Sequence, residues 1–245
     1  KPISCWAGWG LARNNKPIDL QLLRTQLDDG VTAIWLPIAN SANTLSKIGA
    51  RERMWDKDAD PNAHTGPLPW DEAVKRGFYM LDDRGKLKTE YAEAVRMVAG
   101  YGRALFFGHP THEELWAVLD LLDALGHRLA VVDHPFSPFV DLTIDEMRQV
   151  AAKGVLLNFT YDELSPMMGI DPGKMYEAIR TVGVEYFTLS SDAGDPLFPN
   201  SVECMRMIAG YMMAYGCTKD EIEILVTRNP AKVVGLEAAI VSPRN

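Results

Sequence analysis

Three apolar runs that each end in a histidine or an aspartate constrain the fold of this chain most. Residues 104–109 end in His109, residues 129–134 end in His134, and residues 184–192 end in Asp192. Runs of apolar, β-branched and aromatic residues are typical of buried strands, and a helix-like segment follows each of these runs. Strands that alternate with helices predict a parallel sheet with right-handed crossovers. The sequence therefore predicts an α/β fold.

The alternation extends along most of the chain. Further strand-like runs at residues 3–7, 31–38 and 154–158 bring the expected number of strands to six. Residues 41–88 break the pattern, because they are rich in charge and carry several prolines without periodicity. A stretch of that length in a compact domain is usually functional or disordered, so we expect an irregular insertion or lid there.

Helix starts are marked by local sequence signals. Capping boxes of the S/T-x-x-E type begin at Thr111, Thr143 and Thr218. The pair Asp171-Pro172 fits an N-cap followed by proline in the first helical position. These four positions predict the beginnings of four helices.

The pattern leaves a closed barrel and an open, doubly wound sheet as alternatives. A chain of 245 residues is long enough to form a barrel as a single domain. No GxGxxG or GxxxxGK[ST] motif follows any strand, and no GxSxG motif occurs, which disfavours nucleotide-binding and α/β-hydrolase interpretations.

Charge and cysteine content limit the classes of partner and compartment. The net charge of −8, from 25 basic and 33 acidic side chains, argues against nucleic-acid and anionic-membrane partners. The three cysteines are odd in number and lack CxxC spacing, so a disulfide framework is not expected. With no membrane-spanning run or signal-peptide pattern, we expect a cytoplasmic protein with a small-molecule substrate.

The residues at the strand ends predict a metal site. In a parallel barrel, His109, His134 and Asp192 would lie on the face where such folds carry their chemistry. Histidine and carboxylate are ligands of divalent metals. A single histidine at a strand end is more often structural, but three such ends favour a metal-assisted hydrolytic site.

Four motifs together resemble a known group of enzymes. They are residues 106–114 (FFGHPTHEE), 131–135 (VVDHP), 189–194 (LSSDAG) and 228–236 (RNPAKVVGL). In this order they resemble the second half of an amidohydrolase-superfamily barrel, and are most similar to an amidohydrolase-related domain of unknown function. The resemblance implies one (β/α)8 TIM-barrel-like domain over residues 1–245, of which this chain supplies about six strands.

The resemblance also implies roles for the strand-end residues. His109 and His134 would bind metal or substrate, and Asp192 would bind metal and transfer the proton. His134 would either complete the metal shell or stabilise the developing oxyanion. The expected metal is Zn²⁺, with Mn or Fe as alternatives. Asn158, Trp35 and Arg51 are candidate substrate-binding residues.

This sequence lacks one feature of the amidohydrolase superfamily. Its members carry a His-x-His pair on the first strand, and the five histidines of this chain include no such pair. We therefore expect the first two strands to be missing from this sequence. Because exposed parallel edges are prone to associate, we expect a second chain, another segment or a homo-oligomer interface to complete the barrel.

Three functions remain open at this point. The first is a metal-dependent hydrolase that uses a metal-activated water on a small-molecule amide, cyclic amide or lactone. The second is a metal-dependent lyase of the same superfamily, either a decarboxylase or a hydratase. The third is a non-catalytic barrel subunit with a decayed site.

Overall fold

A computed structural model describes residues 18–49, 66–194 and 198–236, together with the backbone of residues 8–10. The expected strand at residues 3–7 lies outside the described residues, as does Arg51. The chain divides into two compact units, an N-terminal unit (Lys1–Gly126) and a C-terminal unit (His127–Asn245).

In the described part of the N-terminal unit, three parallel strands follow one another in sequence order. Strand β1 (Gly8–Gly10) pairs with β2 (Ala33–Trp35), and β2 pairs with β3 (Ala104–Phe106). The helices described in this unit are α1 (Leu20–Asp28), α2 (Ala42–Ile48), α3 (Trp70–Arg76), α4 (Thr89–Gly100) and α5 (His112–Ala124). Strand β3 is shorter than the sequence suggests, since it ends three residues before His109.

The C-terminal unit repeats this arrangement. Strand β4 (Ala130–Asp133) pairs with β5 (Leu156–Thr160), and β5 pairs with β6 (Phe187–Ser190), all in parallel. The helices described here are α6 (Ile144–Ala152), α7 (Tyr161–Leu164), α8 (Pro172–Val182), α9 (Ser201–Tyr215), α10 (Lys219–Glu223) and α11 (Asn229–Val233), with a π-helical turn at Ile224–Arg228. The predicted α/β class is confirmed.

The predicted helix starts are confirmed in detail. Thr111, Thr143 and Thr218 each accept a hydrogen bond from the backbone N–H three residues on, and the glutamate at that position bonds back. The Asp171 side chain accepts from the N–H of Gly173 at the start of α8. These signals are local, so the sequence alone is sufficient to place them.

Two other predictions need correction. Strand β5 continues to Thr160, so Asn158 lies in the middle of this strand and not at its end. Residues 184–186 form a 3-10 turn (Val184–Tyr186) before β6, because the Asn229 side chain holds this turn and the strand start together. Its Nδ2 donates to the carbonyl oxygens of Val184 at 3.1 Å and Phe187 at 2.7 Å.

The described parts of residues 41–88 contain regular structure. Helices α2 and α3 pack together through Ala42, Leu45 and Ala73, all of which are buried. Gly77 ends α3 so close to α2 that a Cβ there would lie 2.9 Å from the backbone nitrogen of Ala42. The expected role of the segment as a lid stays a prediction.

The C-terminal unit buries an aromatic stack on one face of its sheet. Phe159 lies between Phe136 and Phe187, with ring centroids 5.5 Å and 4.8 Å away, and all three rings are nearly parallel. Phe159 and Phe187 are fully buried and belong to neighbouring strands. The stack leaves the opposite face of these strands to polar residues.

Within the described residues, no helix is long and apolar enough to cross a membrane.

Candidate active site at the strand ends

His134 and Asp192 occupy equivalent and unusual positions after their strands. His134 directly follows β4 and has a φ of 32°, and Asp192 follows β6 by two residues and has a φ of 45°. Left-handed backbone is uncommon for residues other than glycine and is enriched at functional sites. Of the residues that the structure describes, Asp141 is the one other non-glycine residue at positive φ.

The His134 side chain is held in a buried environment. Its backbone N–H donates to the carbonyl of Asn158 at 2.8 Å, and its Nδ1 lies 3.0 Å from the Ser137 hydroxyl. Burial lowers the pKa of His134, and the nearby negative charge of Asp192 opposes this shift. The net effect favours a neutral imidazole beside an exposed carboxylate.

A row of polar side chains crosses the three strands of the C-terminal unit. Asp133, Asn158 and Thr188 are register partners on β4, β5 and β6, and all three are buried. The Asn158 Nδ2 donates to Asp133 at 3.2 Å and to the Ser190 hydroxyl at 2.9 Å, while its Oδ1 accepts from Thr188 at 2.9 Å. Both donors of the amide are therefore used inside the protein, which favours a positioning role over the predicted contact with substrate.

Glu163 fixes the turn that carries His134. It is fully buried, and its two carboxylate oxygens accept from the backbone N–H groups of Phe136 at 2.8 Å and Thr160 at 2.9 Å. Burial raises the pKa of Glu163 to about 8 despite these two hydrogen bonds. Glu163 is not among the residues predicted from the sequence, although the T-x-x-E spacing from Thr160 to Glu163 marks it.

The N-terminal unit uses the same device after β3. Glu114 is buried, and its carboxylate accepts from the N–H of Thr111 at 2.8 Å and the N–H of Met80 at 2.6 Å. Burial raises the pKa of this carboxyl group as well. In both units, a glutamate at the start of a helix thus ties that helix to a second backbone segment.

His109 is positioned by two contacts within the N-terminal unit. Its backbone N–H donates to the Pro37 carbonyl at 3.0 Å, and its Nδ1 lies 2.7 Å from the Thr44 hydroxyl. The preceding Gly108 has a φ of 63°, and a Cβ at this position would lie 2.6 Å from the Pro37 oxygen. Only glycine fits this close approach, which sets where His109 leaves the strand.

The structure gives a different outcome for each of the other predicted site residues. The Trp35 ring stacks on Phe106 of the neighbouring strand at 4.2 Å between centroids, so packing accounts for its position. The structure brings Asp192 close to His134, while His109 belongs to the other unit. Within residues 18–49, 66–194 and 198–236, no group of three or more His, Cys, Asp and Glu side chains is arranged to hold a metal ion.

Comparison of the sequence with family models gives one match. Residues 17–158 match a family of unknown function, DUF6282, and the chain belongs to that family. Comparison with curated proteins gave no match.

Comparison with solved structures identifies the fold. The probable dipeptidase PvdM from Pseudomonas aeruginosa is similar over 90% of this chain and 66% of its own, with a TM-score of 0.57 and 14% identity. A metallo peptidase from Rhodobacter sphaeroides is similar over 89% of this chain and 59% of its own, with a TM-score of 0.55 and 12% identity. A dihydroorotase is similar over 91% of this chain and 50% of its own, with a TM-score of 0.51 and 15% identity.

At these identities the likeness concerns the fold alone. The structures are amidohydrolase-superfamily barrels, so the fold is of the (β/α)8 type, with six strands among the residues that the structure describes. The chain spans about half to two thirds of the length of these three structures.

Proposed function

We propose that the protein is a metal-dependent hydrolase that acts on a small-molecule amide, cyclic amide or lactone. The observation that carries this proposal is the pair formed by His134 and Asp192. Both residues follow parallel strands, both have left-handed backbone, and the charge of Asp192 acts on the buried imidazole. Such strained positions cost free energy, and they persist at sites where function requires them.

The histidines present fit a divalent metal. Metal-binding histidines usually have their second ring nitrogen hydrogen-bonded, which fixes the ring and its tautomer. The Nδ1 atoms of His134 and His109 each lie beside a hydroxyl group, that of Ser137 or Thr44. Burial also favours the neutral form of His134, which is the form that binds metals.

We infer that His134 and Asp192 supply ligands to Zn²⁺, or to Mn or Fe in its place, while metal binding by His109 stays a prediction. When bound, such a metal lowers the pKa of a water molecule and polarises the carbonyl of the substrate. The full ligand set and any further chain or segment that completes the barrel belong to this proposal.

The chain's own residues would handle the proton. Asp192 is exposed and can accept a proton from the attacking water as the new C–O bond forms. The same carboxyl group then protonates the leaving nitrogen or oxygen as the C–N or C–O bond of the substrate breaks. His134, held through Ser137 and Glu163, would either complete the metal shell or stabilise the negative charge on the carbonyl oxygen.

The test combines elemental analysis with a panel of lactones and cyclic amides. We expect bound metal in the purified protein, and a loss of kcat/KM of about 10²-fold or more in Asp192→Asn. Asp141→Asn is the matched control, because Asp141 is an exposed aspartate that also has a positive φ of 51°. Absence of turnover after Zn²⁺, Mn²⁺ and Fe²⁺ are supplied, or equal losses in both variants, would contradict the proposal.

A further inference from the structure

The turn that carries His134 is connected to β5 through backbone and side-chain bonds. The backbone N–H of His134 donates to the backbone carbonyl of Asn158 at 2.8 Å. The N–H of Phe136 donates to the buried Glu163 side chain, also at 2.8 Å. Because the first of these bonds uses only backbone atoms, it would persist if the Asn158 side chain were shortened.

The turn that carries Asp192 is connected to β5 in a different way. Of residues 190–192, Ser190 is the one whose side chain makes a hydrogen bond within the described part of the chain. Its hydroxyl accepts from Nδ2 of Asn158 at 2.9 Å. The Asp192 carbonyl accepts from the N–H of Gly194 at 2.9 Å, but that bond lies inside the turn and reaches no other strand. The Asn158 side chain is therefore the side-chain connection between β5 and the residues that lead to Asp192.

The backbone of Asp192 requires support of this kind. Its φ of 45° lies in the left-handed region, which is unfavourable for a residue with a Cβ atom. Strained backbone persists only where the surrounding contacts over-determine it. Strand β6 ends at Ser190, two residues before Asp192, so the bond from Asn158 acts at the last point where the sheet holds the chain. Without that bond, the end of β6 could relax and Asp192 with it.

The amide of Asn158 is itself fixed by the protein. Its Oδ1 accepts from the Thr188 hydroxyl at 2.9 Å, and its Nδ2 also donates to Asp133 at 3.2 Å. Asn158 and Thr188 are buried, at 7% and 5% exposure. Since both ends of the amide are engaged, a rotation of the group would break hydrogen bonds in a buried environment. The fold alone thus directs Nδ2 towards Ser190.

We propose that Asn158 is a positioning residue that acts through the Ser190 hydroxyl to hold Asp192 in its left-handed conformation, with its carboxylate at the candidate metal site. The backbone carbonyl of the same residue holds His134, so one position on β5 supports both members of the pair. The positioning of Asp192 follows from the hydrogen bonds of the C-terminal unit. Its consequence for metal binding rests on the proposed function.

Backbone NMR of the metal-free protein tests the positioning directly. The ¹³C and ¹⁵N chemical shifts of Asp192 report its backbone conformation. We expect them to change in Ser190→Ala, which removes the acceptor, and to stay near native in Ser190→Thr, which keeps the hydroxyl. Asn158→Ala should change them in the same direction, but it removes three hydrogen bonds, so Ser190→Ala decides the matter if that variant does not fold. The His134 shifts should stay near native in Ser190→Ala.

Two matched variants separate this bond from general loosening of the sheet. Thr188→Val also removes one hydrogen bond between Asn158 and β6, but Thr188 lies further from the strand end. Ser191→Ala removes a hydroxyl directly beside Asp192 that makes no hydrogen bond among the described residues. Both should leave the conformation of Asp192 native. Unchanged Asp192 signals in Ser190→Ala, or equal changes in Thr188→Val or Ser191→Ala, would overturn the proposal.

Titration with Zn²⁺ separates the positioning of Asp192 from the proposed function. We expect the affinity for Zn²⁺ to fall about 10- to 100-fold in Ser190→Ala and to stay near native in Ser190→Thr and Thr188→Val. Native affinity in Ser190→Ala would overturn the role of Asn158 at a metal site. If the native protein bound no Zn²⁺, Mn²⁺ or Fe²⁺ while the Asp192 signals still responded to Ser190→Ala, the proposed function would be refuted and the positioning of Asp192 would stand.

Discussion

The Glu163 side chain accepts a hydrogen bond from the backbone N–H of Phe136, with 2.8 Å between Oε1 and the nitrogen. Phe136 lies two residues after His134, in the turn that gives His134 its left-handed backbone. The second oxygen of Glu163 accepts from Thr160 at the end of β5. One carboxylate therefore connects the His134 turn to the neighbouring strand, and it does so without contact with solvent.

Replacing Glu163 with glutamine should destabilise the protein. Both oxygens of a carboxyl group can accept a hydrogen bond, whether it is protonated or not, whereas the NH2 group of glutamine cannot. One of the two buried N–H groups would therefore lose its partner, at a cost of about 1–3 kcal/mol. Urea unfolding monitored by circular dichroism measures this change. The control is Glu146→Gln, because Glu146 has the same role in the capping box of Thr143 but lies nearer the surface. If Glu163→Gln and Glu146→Gln lowered the free energy of unfolding equally, burial of the carboxyl group would not determine the cost.

The stability that Glu163 contributes should depend on pH. Its pKa is about 8 in the folded protein and near the ordinary value of 4.5 in the unfolded chain. Between these values the folded state binds a proton that the unfolded state has released, so the free energy of unfolding falls as pH rises. Glutamine does not titrate, and the stability difference between native protein and Glu163→Gln should change steadily from about pH 5 to pH 8. A constant difference across this range would show that Glu163 stays ionised when folded.

Local signals in the sequence were sufficient to place two of the candidate site residues after their strands. His134 and Asp192 could be predicted because each ends an apolar run, and the polar residue marks where the buried strand stops. The helix starts at Thr111, Thr143 and Thr218 were predictable because a capping box lies within four residues of chain. Such features need no knowledge of which elements are neighbours.

The supporting contacts could not be predicted in the same way. Thr44 and His109 are 65 residues apart in sequence, and their contact exists only once α2 packs near the end of β3. Asn158 was expected at a strand end, but the register of β5 with its neighbours places it in the centre of a polar row. Both outcomes depend on strand register and helix packing, which a single sequence does not encode as a local pattern.

Asn229 should be among the most sensitive residues outside the proposed site. It is fully buried, and its Nδ2 donates to two carbonyl groups at the entrance of β6. Asn229→Asp keeps the shape but turns the donor into an acceptor that faces two carbonyl oxygens, so we expect a loss of about 3 kcal/mol or more. Thermal unfolding of the native protein and of Asn229→Asp measures this loss of stability. Asn200→Asp is the control, since Asn200 is an exposed N-cap where aspartate serves equally well, within about 0.5 kcal/mol. A small effect at Asn229 would mean that β6 does not depend on this side chain.

Gly108 and Gly102 offer a matched test of how His109 is placed. Their φ values are nearly equal, at 63° and 61°, but a Cβ on Gly108 would lie 2.6 Å from the Pro37 oxygen, whereas a Cβ on Gly102 would meet nothing within 4 Å. Gly102→Ala should therefore show only the cost of left-handed backbone, about 1–2 kcal/mol. Gly108→Ala should cost at least about 2 kcal/mol more, because the backbone must move away from Pro37.

The variants Gly108→Ala and Gly102→Ala also test the position of the His109 ring. If the close approach of Gly108 sets the direction of His109, the His109 ring signals should shift in Gly108→Ala and remain unchanged in Gly102→Ala. Similar unfolding free energies for both variants, with unshifted His109 signals, would show that the backbone at Gly108 relaxes without moving the histidine. The position of the ring would then depend on side-chain contacts such as that of the Thr44 hydroxyl with Nδ1.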